Sequence, residues 1–212
     1  MAGTAALFFV AVLMPIGAAR GAPIAQGAPT IVLHVDDYAA LPRKLLLGVE
    51  TLANGIFRSA GVDTRWVNRT MPREQRVEGP VFAGQVGDYA VHLRVIILPD
   101  KMTERKLRDS PHGSHVIGLA QPAPELSDSV AFVFFGRLER AADRYAKAPS
   151  DLLAHVMAHE VGHLILQHGS HSVVGIMLET WDPKQMSAPV FTTAQAALIR
   201  STLLAARAFE LK

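Results

Sequence analysis

Apolar positions along this chain recur at two different periods, and the switches between them mark out the elements. Thr30 to Asp36 alternates Ile31, Leu33 and Val35 against Val32 and His34, which predicts a strand. Pro42 then stands at a helix start. Leu45, Leu46, Val49, Leu52, Ala53 and Ile56 follow at helical spacing as far as Gly61. Val62 to Val67 predicts a short second strand, and residues 69 to 88, with mixed charge, Pro and Gly, a long loop. Ala90 to Leu98 is a strong strand stopped by Pro99, Val116 to Ala120 a weak one, and Ser129 to Phe135 an apolar run of the buried-strand type. Arg137 to Lys147 predicts a short helix. Pro149 and Ser150 open a longer one whose apolar residues run to Leu166. Thr192 to Phe209 is a last amphipathic helix, opened by Thr192 and Gln195 in the spacing of a capping box. A strand and a helix come first, four more strands follow and helices close the chain, so the expected fold class is α+β with a mixed sheet.

Composition narrows the classes without changing that picture. Of 212 residues, 50% are hydrophobic and 19% charged, which suits one globular domain with a sizeable core. A net charge of only +2 gives no reason to expect a nucleic-acid partner. Cysteine is absent, which excludes disulfides, thiolate metal sites and a cysteine nucleophile, and leaves nine histidines as the soft ligands. At the N-terminus Ala5 to Ile16 is almost wholly apolar and Gly17, Ala18 and Ala19 follow. That run is shorter than the roughly 20 residues of a membrane span and matches a secretory leader with a small-residue cleavage site. The expected organisation is a signal peptide over residues 1–19, cleaved after Ala19 or alternatively Ala22, a linker over 20–29 and one domain over 30–212. A secreted or periplasmic protein with no lasting membrane association is expected.

The chemistry concentrates in His159-Glu160-Val161-Gly162-His163, inside the helix opened by Ser150. Two histidines four apart stack on one helix face and can converge on one zinc ion at about 2.0–2.1 Å. Glu160, roughly 100° further round the helix, is badly placed to be a ligand and well placed to act on water. Zinc lowers the pKa of a coordinated water to about 7, and a neighbouring carboxylate can take its proton. With nine histidines and nine glutamates in the chain, this pattern arises by chance roughly once in sixty such sequences. The context weighs more. Two histidines and a glutamate interrupt an otherwise apolar helix, and burying them without a metal leaves polar groups unmet at a cost of several kcal/mol.

This motif, followed by Gly169-Ser170-His171-Ser172 and Gly175-Ile176-Met177, resembles the active site of zincin metallopeptidases, in particular the metzincin group. It is most similar to small secreted bacterial proteins that carry HExxHLxL, then HS, then GIM. The resemblance covers residues 30 to 210 in the order of elements and 159 to 177 in motif. It implies a zincin-like mixed sheet with an N-terminal helix, a long active-site helix and a C-terminal helix. It implies one Zn2+ per chain, a peptide or protein substrate, Glu160 as general base and Met177 in a methionine turn below the metal, where a plain core methionine is the alternative. By the same analogy the edge strand at Gly118, Leu119 and Ala120 would align the substrate. The spacing departs from the usual pattern, which has Gly and then His where this chain has Leu166 and Gly169.

The third ligand therefore needs its own argument, and His168, His171 and Glu179 are the candidates. His168 lies five residues after His163, roughly 140° off the zinc face if the helix persists. No clear helix carries Glu179. Gly169 can end the helix in a left-handed turn about 9 Å beyond His163, and two extended residues bring the chain back by about 7 Å. That favours His171, with Glu179 and His168 kept open. The expected activity is hydrolysis of peptide bonds. The alternatives are a secreted binding module stapled by zinc without turnover, and a zinc hydrolase acting on other amides or esters. Elsewhere, His155 reads as a rim or buried histidine, His112 and His115 as exposed, His34 and His92 as ordinary strand positions, and Asp36 and Asp37 as turn residues. Arg137, Arg140, Arg144 and Lys147 read as a solvated helix face. Nothing singles out Tyr89 or Tyr145. Gly162 suggests close approach of another backbone.

Overall fold

The computed structural model describes residues 27–71, 90–108, 116–166, 170–180 and 189–209, with side chains up to residue 206. Among these residues five strands form one sheet in the order β2-β1-β3-β5-β4. They are β1 (Thr30–Asp37), β2 (Asp63–Thr70), β3 (Ala90–Leu98), β4 (Gly118–Gln121) and β5 (Val130–Phe134). β1 pairs in parallel with β2 and β3, β3 in parallel with β5, and only the edge strand β4 runs antiparallel to its neighbour. The helices are α1 (Arg43–Ser59), α2 (Asp100–Leu107), α3 (Phe135–Tyr145), α4 (Pro149–Leu166) and α5 (Thr193–Phe209). Among the described residues no helix is long and apolar enough to cross a membrane.

Parallel strands linked by crossover helices end up buried on both faces, and β1 and β3 show it. Ile31, Leu33 and Val35 with Leu93, Val95 and Ile97 join the core that holds α1, α4 and α5. On the other face Ile96, Leu98, Phe132 and Phe134 pack with Tyr38 and with Met102 and Leu107 of α2. The alternation in β1 thus separates two buried faces, not core from solvent. α4 lies against α1, α3, α5, β4 and β5, and twelve of its residues are buried. A helix packed on most sides is apolar on most sides, so His155, His159, Glu160 and His163 stand out as the polar residues between Leu152 and Leu166.

Most expected elements lie within two residues of those observed. β2 continues to Thr70, into the expected loop, and residues 72–88 of that loop lie outside the described residues. α3 starts at Phe135, because the apolar run of β5 passes straight into it. α2 was not expected: its sequence is dominated by charge, and only Met102, Thr103 and Leu107 turn inward. The leader, most of the linker, His112, His115, His168, Gly169 and Tyr89 also lie outside the described residues.

A buried carboxylate beside three converging histidines

α4 carries His159, Glu160 and His163 on one stretch of rigid backbone. His159 and Glu160 are 9% and 8% exposed. The chain returns to them through residues 170–177, and Gly175, at φ +81°, makes the turn that brings Ile176 and Met177 under the helix. The Ile176 N–H donates to the Val190 carbonyl at 3.0 Å, and the Ile176 carbonyl faces His159 Nδ1 at 2.8 Å. A carbonyl can only accept, so Nδ1 carries the proton and Nε2 of the neutral ring offers its lone pair. His163 Nδ1 meets Ser170 Oγ at 2.7 Å, and its Nε2 lies 3.0 Å from His159 Nε2. His171 completes the group. Its ring centroid is 5.6 Å from that of His159 and 4.6 Å from that of His163. One ring nitrogen from each of the three lies within 4.8 Å of the others.

The electrostatics of this group are unfinished without a cation. Burial, and then repulsion from the neighbouring rings, lowers His163 to about 4. Burial is also the main cause of the lowered pKa of His159. Both rings are neutral near pH 7, with lone pairs free for a metal. Glu160 is pushed up to about 8 by burial, against the opposing effect of one backbone hydrogen bond from Ala120. A divalent cation beside these side chains would favour the charged carboxylate and absorb the converging lone pairs. The residues present therefore fit a zinc ion held by three imidazoles.

Glu160 reaches away from the helix toward β4. A Cβ built at Gly118 would lie 2.7 Å from Glu160 Cγ and 2.8 Å from Cδ, so the carboxylate occupies the space that a side chain at 118 would need. Gly118 and Ala120 thus abut Glu160 on the outer strand of the sheet, and Leu119 turns to the opposite core cluster. Met177 is fully buried. A Cβ at Gly162 would meet its Sδ at 2.6 Å and Phe191 Cε1 at 2.9 Å. The close neighbours of Gly162 are therefore side chains and not another backbone.

The other candidates fall elsewhere. Glu179 is exposed and outside the histidine group. His155 Nδ1 turns back to the Asp151 carbonyl at 2.6 Å. His34 and His92 pair across β1 and β3 at 2.8 Å. Asp37 is a turn residue, accepting from the Ala39 and Leu41 N–H groups. Asp36 is not one: Arg69 and Arg94 hold it in the sheet. Of the arginine face, Arg140 pairs with Asp100 at the surface and Arg137 donates to the Val116 carbonyl. Sequence reasoning missed Ser170 as the partner of His163, although its position beside His171 was a usable signal.

No protein-family model and no curated protein matches the sequence. Solved structures do match. A zinc-dependent peptidase from Methanocorpusculum labreanum aligns over 81% of this chain and 99% of its own, at 15% identity and a TM-score of 0.47. Archaemetzincin from Methanopyrus kandleri aligns over 85% of this chain and 99% of its own, at 17% identity and a TM-score of 0.48. Metalloproteinase-II from Bacteroides fragilis aligns over 85% of this chain at 8% identity and a TM-score of 0.53, and the match spans 55% of that proteinase. The likeness to that metalloproteinase is one of fold, and the mixed five-stranded sheet with the long α4 and the C-terminal α5 is the zincin-like architecture expected from the sequence.

Proposed function

We propose that the protein is a zinc-dependent metallopeptidase, exported from the cell, in which His159, His163 and His171 hold one Zn2+ and Glu160 is the general base. The observation that carries this reading is the convergence of the three ring nitrogens within 4.8 Å, one residue along α4 from a buried carboxylate. When bound, zinc supplies Lewis acidity, activating water and polarising a carbonyl. Glu160 accepts the proton of the attacking water and delivers it to the leaving amine. The Ala120 N–H and the bare Cα of Gly118 keep its carboxylate beside the edge strand. An extended peptide pairing with Gly118, Leu119 and Ala120 would thus bring its scissile bond to the base. Met177 forms the apolar floor beneath the histidines. Three protein ligands leave a coordination position for water, as catalytic zinc sites do, and among the described residues the group has three members. A zinc-stapled binding module would need a fourth.

The test is metal content beside digestion of mixed peptides. Purified protein should carry about one zinc, the count one such motif implies. His163→Ala should lose it and His171→Ala should bind it far more weakly, whereas Glu179→Ala and His168→Ala should not. Full zinc retention in His163→Ala would rule out the site. Zinc-loaded wild type that cleaves no peptide in a broad library would favour the module.

A further inference from the structure

The third histidine sits on an exposed, irregular loop, and something must hold that loop in place. The side chain of Gln195, in the first turn of α5, reaches it on both sides of His171. Gln195 Nε2 donates to the Ser170 carbonyl at 3.2 Å and to Ser172 Oγ at 3.1 Å. Its Oε1 accepts the Thr192 N–H at 3.0 Å, and the Gln195 N–H donates to Thr192 Oγ1 at 3.3 Å. The amide orientation is fixed by these partners. Turned over, it would set oxygen against the Ser170 carbonyl and nitrogen against a backbone N–H. Ser172 can accept from Gln195 because its own hydroxyl proton goes to the Val174 carbonyl at 2.7 Å. Its N–H donates to the Met177 carbonyl at 2.9 Å. Ser170, held through its carbonyl, places its hydroxyl on His163 Nδ1. α5 is itself a firm post, since Ala196, Ile199 and Leu203 are buried in the core beside α4.

We propose that Gln195 is a positioning residue for the metal centre: one carboxamide caps α5 and clamps the loop on both sides of His171, fixing the ring nitrogens of His171 and, through Ser170, of His163. The inference rests on the reading that the three histidines hold a metal. Partners that orient ligands without touching the ion are typically worth 10–100-fold in metal affinity, and an exposed ligand on a loop gains most from being held beforehand.

The two tasks of the carboxamide can be separated. Glutamate at 195 still accepts the Thr192 N–H, because Glu and Gln serve a capping box alike. It cannot donate to Ser170 or Ser172, and it sets a carboxylate oxygen against the Ser170 carbonyl. In the full chain, Gln195→Glu keeps the cap of α5, should melt closer to wild type than Gln195→Met when metal-free, and should bind zinc 10–100-fold more weakly, read by competition with a chelator. Gln195→Met, which can neither cap nor clamp, should weaken zinc to the same extent and also lower the metal-free melting temperature. Because part of the clamp acts through His171, adding Gln195→Glu to His171→Ala should cause a smaller loss than Gln195→Glu causes alone, the remainder being the part carried through Ser170 to His163. Wild-type zinc affinity in Gln195→Glu or Gln195→Met, or fully additive losses in the double variant, would overturn the assignment. A wild type that binds no zinc would remove the metal centre itself and this inference with it.

Discussion

Asp36 and Glu160 are both buried carboxylates, 0% and 8% exposed, yet their surroundings are opposite. Asp36 lies in the sheet between two guanidinium groups. Arg94 meets one of its oxygens and Arg69 the other, each pair at 2.7 Å, and Arg94 is itself almost fully buried. Such pairs are planar and charge-assisted on both sides of the carboxylate. Glu160 has one backbone N–H from Ala120, and burial pushes it up to about 8. Charge at Asp36 is matched by fixed partners inside the fold, whereas charge at Glu160 meets one backbone N–H, and on the proposed reading a cation and a substrate supply the rest. The contrast separates a carboxylate neutralised within the fold from the one proposed to serve chemistry, although both interrupt apolar sequence.

The largest effect should appear when the structural carboxylate is removed. Asp36→Ala leaves the buried Arg94 without its paired charge, and breaking a buried pair from one side costs about 3–5 kcal/mol. Urea unfolding should show a loss of that size, and a change below about 1 kcal/mol would mean the arginines find equal partners elsewhere. Glu160→Gln in metal-free protein should cost nothing or stabilise, because near neutral pH it spares the cost of taking up a proton on folding. A smaller effect should follow from crowding Glu160. Gly118→Ala puts a methyl group where the carboxylate packs, and an acid–base group displaced from its position forfeits part of its 10²–10⁴-fold contribution. Peptide turnover should fall at least tenfold with zinc retained. Unchanged turnover would show that Glu160 has room to move.

The smallest effect is a pH slope. In metal-free protein Glu160 titrates near 8 when folded and near 4.5 when unfolded, so the folded state holds the extra proton. Stability should fall as pH rises from about 4.5 through 8. His163, at about 4 when folded against 6.5 unfolded, has the opposite linkage, with stability lost as pH falls from 6.5 through about 4. His159 acts in the same sense. The interval between pH 6.5 and 8 therefore isolates Glu160, and Glu160→Gln should flatten the stability profile there. An equal slope in wild type and variant would remove Glu160 as its source.

What could be read from the sequence was what local spacing determines. The two histidines one turn apart, the capping box at Thr192 and the bounds of β3 and α4 all depend on neighbours within about five residues. The placement of His171 depended on chain reach over eight residues, and its ring lies with the other two. What could not be read depends on sheet register. The partners of Asp36 lie 33 and 58 positions away. They meet it because β1 sits in parallel between β2 and β3, and no local pattern encodes that. Gln195 was legible as a cap but not as a clamp, because its second set of partners comes from another loop. α2 escaped because its inward residues are few and set among charges.

The claim that most needs testing is that Glu160 is the base beside a zinc held by three histidines. The most direct measurement is peptide hydrolysis by wild type and Glu160→Gln prepared with equal zinc content. The amide keeps the shape of the carboxylate and cannot take a proton. Turnover should therefore fall by about 10²–10⁴-fold with zinc unchanged. A zinc-loaded Glu160→Gln variant that cleaves as fast as wild type would contradict the account.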